Sequence, residues 1–404
     1  MILSKYLLTP SIYISSLKKN DIISFLLRHP NYFIGLLSSY YPLSQYQLKT
    51  YEKFLDWSKI SANENIIWTY EILNEFLDLI NWDSLTTNSS VFVNIKLLET
   101  FEHKINWFGN DNYYGDSITA NEGIYWDNET IDKYADKINF EKLSISTNVD
   151  WSESLLDKYF GKWNLTELAH NESIPWSLEM FEKYLDESYF FYFGVQTNKS
   201  LVSFELVEKY NHLMDWHNIS LIPSLPWIEK NLLNYWSDKI VWTGIACNKF
   251  LFKNDKNFYH KNYEKWKPIE NEVWYFFSGN VAFPWSKQMI EVHKYDLDWT
   301  NLCSNEGIIW NSDLIDSFSK YIKWGGWKPC ELLDEMGNEI SPVGGSQFDF
   351  GLINNKSIPW SIDFLLNYEH ELEFEALGSN SAVWNKVFKS YINDEMIDII
   401  MRIL

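Results

Sequence analysis

Apolar and polar positions along the chain follow a frame that recurs about every 25 residues. A large apolar residue, most often Trp, marks each slot: Leu43, Trp68, Val93, Trp126, Trp151, Trp176 and Val202. The series continues through Trp227, Phe252, Trp285, Trp310, Trp360 and Trp384. With a slot at 335 it numbers fourteen; the slot at 252 is degraded and that at 335 nearly erased. Two intervals stretch to 33 residues, from Val93 to Trp126 and from Phe252 to Trp285.

The residue after each mark is a helix N-cap type, as at Ser44, Thr69, Asn94, Asp127, Ser152 and Ser177. Ser203, Ser286, Asn311, Ser361 and Asn385 continue the set. Such side chains accept from the orphan N–H groups of a first turn. An acid often follows two residues later (Glu71, Glu129, Glu179, Asp363), where the helix dipole favours it. The mark is then the N′ residue, stapled onto an apolar residue at N4 such as Leu73, Ile131, Leu156 or Leu365. A ring stands eight residues past the mark (Tyr51, Phe76, Tyr159, Tyr184, Tyr368) and a second near fourteen (Trp57, Trp82, Trp107, Trp299, Trp324). With the apolar pair between them, the first ring completes one helical stripe. A turn ending in Asn follows, as at Asn63, Asn88, Asn171, Asn305 and Asn355.

The pattern predicts one main helix of about eleven residues per slot and a short turn or 3₁₀ segment. Such a unit buries its stripe only by stacking on neighbours. The expected fold is all-α: an α-solenoid of about fourteen 25-residue repeats over residues 43–404, elongated or curved. Residues 1–42 read as an N-terminal helical cap, with Asn20 capping one helix and NYFIGLLSSY forming a second. NDEMIDIIMRIL reads as a closing helix. The frame breaks at 108–118, 252–275 and 325–353. In the last of these, Gly337 and Pro342 fall where a helix should run, and ELLDEMGNEI suits a hairpin about Gly337–Asn338.

The motif N-x-x-I-P-W-S-x-E-(L/F)-(I/L)-x-K-Y, followed by W-x-x-L-S-x-N, resembles Trp-rich tandem repeats of many uncharacterised proteins from low-GC bacteria. The resemblance covers 43–404 and implies a repeat fold; it implies no activity.

Aromatic residues make up 18% of the chain, which requires a ring-filled core or a ring-covered surface. The net charge is −21, and Arg occurs only at Arg28 and Arg402, which argues against direct nucleic-acid binding. Three widely spaced cysteines (Cys247, Cys303, Cys330) suggest neither a disulfide framework nor a metal clip, and a cytoplasmic setting fits. No secretion signal and no membrane span are read. No nucleotide, metalloprotease or nucleophile-elbow motif is present, His212 and His217 are wrongly spaced for joint ligation, and neither metal nor cofactor is expected. His260 and His293 replace rings at the first ring position and read as packed or snorkelling side chains.

The leading reading is a non-enzymatic, acidic scaffold that binds a protein or peptide with a basic surface. It takes two forms, an inhibitor or immunity-type protein and a sensor or adaptor of a bacterial system. The candidate partner-binding residues are Trp327, Asp334, Glu335, Glu339 and Asp349 in the irregular 325–353 loop. Two alternatives stay open: an enzyme or ligand site at that loop, and a carbohydrate-binding surface that needs the second rings to face solvent.

Overall fold

The computed structural model describes residues 10–93, 95–109, 117–185, 196, 198–333 and 339–404. They are helical, apart from one two-stranded antiparallel ribbon and an isolated bridge between Trp126 and Val149. The chain divides into two compact units. One comprises Met1–Tyr40, Phe277–Val281 and Trp285–Leu404; the other comprises Tyr41–Phe276 and Ala282–Pro284.

The predicted caps form. Ser44, Thr69, Asp127, Ser152, Ser177, Ser203, Ser286, Asn311 and Ser361 each accept from the backbone N–H three residues on. Asn94 lies outside the described residues. Asn385 caps nothing: it sits inside a π-turn, Trp384–Phe388, and Asn380 caps the helix before it. The N4 residues Leu73, Leu98, Ile131, Leu156, Val207 and Leu365 are buried, as most marks are. Slot 93 is an exception. Val93 is 70% exposed, and the neighbouring Phe92, at 1%, takes the core position. In slot 227 one extra residue is absorbed at Asn231 (φ 49°), so Trp236 is buried and Tyr235 exposed.

The main helix is shorter than the expected eleven residues, with six at Gln45–Thr50 and at Tyr70–Glu75, and the expected short turn is a second helix. Gln45–Thr50 and Trp57–Ser61, then Tyr70–Glu75 and Trp82–Thr87, show the unit. The second helix has its own cap, one residue before the second ring at Asp56, Asn81, Asn139, Asp215 and Asp298, and before Leu165 at Asn164. The first helix ends at the first ring, as at Tyr51 and Phe76, and the second cap starts a new helix about five residues later.

Indole N–H groups close the turns. Trp57, Trp82, Trp107 and Trp299 donate to the carbonyl five residues back, at 2.8–3.3 Å. The marks Trp68, Trp151, Trp227 and Trp360 do the same to the carbonyl ending the preceding turn, at 2.7–3.2 Å. Phe offers no such donor, which favours Trp at these eight positions, whereas the indole N–H groups of the marks Trp126, Trp176 and Trp310 find no partner among the described residues.

The turn asparagines join repeat to repeat. Asn171 Nδ2 donates to Ser144 O and Ser146 O, both at 2.9 Å, in the preceding turn, while its Oδ1 accepts from Ser173 N. Asn88, Asn121, Asn198, Asn248, Asn305 and Asn380 likewise donate to carbonyls of the turn before them. These amides are buried. A second link comes from a hydroxyl two residues before the turn position that holds Asn63 and Asn280 and, in other repeats, Ser146 and Ile222. Ser61, Ser144, Ser220 and Ser278 accept from the backbone N–H that begins the next second helix, at 3.0–3.1 Å.

Helix α1 (Pro10–Arg28) runs through Asn20, which therefore caps nothing, and α2 (Pro30–Tyr40) follows the predicted second segment. Both pack on C-terminal helices of their unit: Phe25 and Tyr32 meet Phe374 and Phe388, and Tyr40 stacks on Trp384 while donating to Gly378 O at 2.9 Å. The last helix is Asp394–Ile403, capped by Asn393.

Asn171→Asp keeps the shape but faces two carbonyls with a carboxylate. We expect a loss of about 3 kcal/mol at pH 7, read from urea unfolding, and partial recovery on acidification as the introduced acid protonates. Trp227→Phe should cost about 1 kcal/mol more than Trp126→Phe, because Trp227 donates at 2.7 Å whereas the buried Trp126 N–H finds no partner among the described residues. Urea midpoints of the two variants test this.

Candidate functional site

The second ring and the turn Asn are normally six residues apart, as in Trp57–Asn63, Trp82–Asn88 and Trp299–Asn305. Two repeats open at this joint. Trp107 and Asn121 are 14 apart, and Trp324 and Asn355 are 31 apart. A left-handed Gly launches each departure: Gly109 (φ 70°), and Gly325 (φ 86°) with Gly326 (φ 117°). The chain then returns to complete the second helix. Ile118 N donates to Asn106 O at 3.0 Å; Leu352 N and Ile353 N donate to Lys323 O and Trp324 O at 2.8 and 2.9 Å.

The longer departure corrects the repeat frame. No repeat occupies the slot at 335. Asn355 Nδ2 donates to Cys303 O at 2.9 Å and Asn305 O at 3.1 Å, and Tyr368 OH to Asp316 Oδ1 at 2.8 Å. Neighbouring repeats make the same contacts elsewhere, as in Tyr184 OH to Asp157 Oδ1 at 2.8 Å. The repeats marked by Trp310 and Trp360 are therefore direct neighbours, and residues 326–350 are an insertion whose length happens to match one repeat. Without them the joint reads Trp-Gly-Gly-Leu-Ile-Asn-Asn, with the normal six-residue spacing.

The insertion forms an antiparallel pair, β1 (Gly326–Leu333) and β2 (Glu339–Asp349), to which the all-α description needs an exception; the predicted turn at Gly337–Asn338 lies outside the described residues. Gly326 pairs with Asp349, Trp327 with Phe348, and Leu333 with Glu339. Trp327 and Asp349 thus stand at the base and Glu339 at the far end, roughly 24 Å away at ~3.4 Å per residue. Asp334 and Glu335 lie outside the described residues. The register does not gather the three described candidates, Trp327, Glu339 and Asp349, at one point.

The 252–275 irregularity differs: Trp274–Asn280 keeps the normal spacing, and the added helices Phe258–Lys261 and Tyr263–Trp266 precede it. There, a cleft of about 600 Å³ is lined by Val241, Trp242, Thr243, Glu264, Lys265 and Glu272, among others. A second cleft, of about 470 Å³, lies where the 108–118 insertion starts, lined by Glu102, His103, Trp107, Phe108 and Lys137. Its Glu102 and Lys137 are paired with each other, and Lys137 also lies over the Trp107 ring. Cysteine and serine are absent from the lining of both clefts.

Several candidate reactive groups have structural roles. Cys303 occupies the hydroxyl position of the turn and accepts from Lys323 N at 3.4 Å; burial pushes its thiol up to about 12. His293 is half-buried at its ring position, whereas His260 is exposed. His217 pairs with Thr243 Oγ1 at 3.1 Å. Among the described residues, no group of three or more His, Cys, Asp or Glu is placed to hold a metal ion. The described second rings are buried or half-buried; Phe190 lies outside the described residues. Among the described residues no helix is long and apolar enough to cross a membrane.

The densest polar convergence joins sequence-distant ends of one unit. Arg28 donates from Nε and Nη2 to the two carboxylate oxygens of Glu369, at 3.1 and 2.9 Å, and His29 Nε2 lies 2.7 Å from Oε1. The His29 ring stacks near Phe374 at 3.9 Å. The Arg28 bonds hold the Glu369 carboxyl below its ordinary value, against a smaller opposing effect of burial. Sequence reasoning offered no signal for this contact beyond the rarity of Arg.

No protein-family model matches the chain, and neither a curated protein nor a solved structure matches it.

Because folding lowers the Glu369 value, its stabilising contribution is complete above the ordinary carboxylate range and disappears as pH falls through the lowered value. Thermal unfolding of wild type and Glu369→Gln from pH 7 to pH 3 should therefore differ most at pH 7 and converge at the acid end.

Proposed function

We propose that this chain is a non-enzymatic tandem-repeat scaffold that binds a protein or peptide, and that its partner presents a basic surface. On this reading residues 43–404 are a solenoid of stacked Trp-rich units, fewer than fourteen now that the 335 slot is an insertion, and residues 1–42 serve as a helical cap. The supporting observation is the insertion of residues 326–350 into a joint that stacks without them. Repeat arrays place such additions on the face that meets other molecules. The buried turn asparagines elsewhere are used on repeat-to-repeat bonds. The net charge of −21 favours a basic partner and makes association sensitive to salt.

Both the inhibitor form and the sensor or adaptor form are compatible with this reading. A catalytic site on the ribbon gains no support from residues spread along its length, and sugar stacking gains none from covered second rings.

Excision of residues 326–350, leaving Gly325 joined to Gly351, is the direct test. The variant should keep the helical circular dichroism and melt within a few degrees of wild type. A host partner captured by wild type at low salt and released at high salt should be lost by the variant. Retention of that partner would remove the ribbon from the binding surface, and the absence of any salt-sensitive partner would count against the scaffold reading itself.

A further inference from the structure

The first repeats of the unit Tyr41–Phe276 carry an exposed apolar surface that their internal packing does not use. Their turns are stacked directly. Asn88 Nδ2 donates to Ser61 O, Asn121 Nδ2 to Thr86 O and Asn88 O, and Ser89 bonds Glu64. A Cβ at Gly123 would lie 1.8 Å from Ser89 O, so the third turn presses on the second. From these three turns Ile67 (81% exposed), Val93 and Tyr125 project into solvent. Beside them, on the first turns of the adjoining helices, Tyr46 (78% exposed), Tyr70 and Ile95 are exposed as well.

This concentration is local. One and two repeats past Trp126 the turn position holds Asp150 and Pro175, and the helix position at Trp126 and Trp151 holds Asn128 and Glu153. Val93 is telling, because at a mark position an apolar side chain belongs in the core; here Phe92 fills the core and Val93 is turned outward. Scattered exposed apolar residues are ordinary, but six on three stacked repeats make a contiguous patch of the kind that marks contact with another molecule. Exposed acids accompany it: Glu64, Glu71, Glu122 and Glu129 alternate with the apolar residues along the same turns and helices.

We infer that this face, Tyr46–Ile67–Tyr70–Val93–Ile95–Tyr125, docks an amphipathic segment of a basic protein partner. Apolar side chains of the segment cover the patch, and flanking Lys or Arg residues meet the glutamates. The inference deepens the scaffold reading and rests on it. Charge selects the occupant: a second copy of this chain would bring the same acids against themselves, whereas a helix with an apolar face and lysine flanks satisfies both features.

The test uses the full chain and a synthetic Leu/Lys peptide of helical periodicity, titrated by calorimetry in moderate salt. Its Leu/Glu analogue and oligolysine serve as probes of apolarity and charge alone. The Leu/Lys peptide should bind at one site, about tenfold or more tighter than either control. The triple variant Ile67→Ser, Tyr70→Ser, Val93→Ser should lose that advantage, while Ile228→Ser, an exposed change elsewhere in the unit, should retain it. Hydrogen exchange on wild type should show peptide-dependent protection at 63–71 and 88–93, a readout that stands even where the triple variant folds poorly. Equal binding by the triple variant, equal binding of the Leu/Glu analogue, or protection confined to other segments would overturn the inference. Self-association abolished by the triple variant would also overturn it, by assigning the patch to a second copy. Excision of residues 326–350 should leave peptide binding unchanged, so failure at the ribbon and failure at this patch are separately visible.

Discussion

A primary amide buried between two turns must satisfy two donors and one acceptor, and the repeat architecture rests on how the turn asparagines do so. Asn171 uses Nδ2 on two carbonyls of the preceding turn and Oδ1 on the N–H two residues ahead. One side chain therefore holds its own turn in shape and fastens it to the previous one. Aspartate lacks the donors, serine lacks the reach, and glutamine adds a rotor whose freezing costs entropy. A turn hydroxyl such as Ser144 fixes the next second helix by accepting from the N–H of its cap, Asn164. Because repeat helices such as Gln45–Thr50, Tyr70–Glu75 and Trp82–Thr87 have only six residues, they would not persist in water by themselves. Repeat-to-repeat bonds and the shared apolar seam therefore carry the secondary structure.

Surface ion pairs add less than their regularity suggests. Lys158–Asp132, Lys183–Asp157 and Lys209–Glu182 connect each first helix to its predecessor, and Tyr159 and Tyr184 reinforce two of the acids. Exposed pairs of this kind contribute at most about 1 kcal/mol each, and salt weakens them. Their regularity has a simpler cause: one helix sequence, repeated at one spacing, places the same lysine beside the same acid each time. The Arg28–Glu369 fork is different in kind, since it is bidentate, partly covered and formed between residues 341 apart. Using one of only two arginines there is consistent with a chain that does not rely on Arg to read nucleic acid.

Much of the repeat was legible because its signals are local. A cap type after Trp, an apolar residue at N4 and a ring at the next turn lie within nine residues, and the structure realises them at Ser152, Leu156 and Tyr159. The second cap is equally local: Asp56, Asn81 and Asp298 each precede the second ring, and each makes the expected short turn a second helix. Other features were not recoverable from spacing. At slot 93 two adjacent apolar residues compete for one core position, and only volume decides that Phe92 enters and Val93 does not. At slot 335 an insertion of one repeat length preserves the frame on both sides, so counting alone cannot distinguish it from a decayed repeat. The hydrogen bond from Asn355 to Asn305 does distinguish them.

Those two failures of the frame point toward function for the same physical reason. A stacked repeat must satisfy its neighbours at the seam, and selection on that seam makes its sequence regular. Residues free of the constraint are the ones able to serve something outside the array. The ribbon at 326–350 is free because its joint closes without it. Val93 is free because Phe92 relieved it of its place in the core. Val93 adds no burial to the stack, and the ribbon, which meets the helix Phe374–Gly378 through β1, is marginal as a two-stranded element. Features that cost order or expose apolar surface without benefit to the fold are most economically explained by a contact made with another molecule.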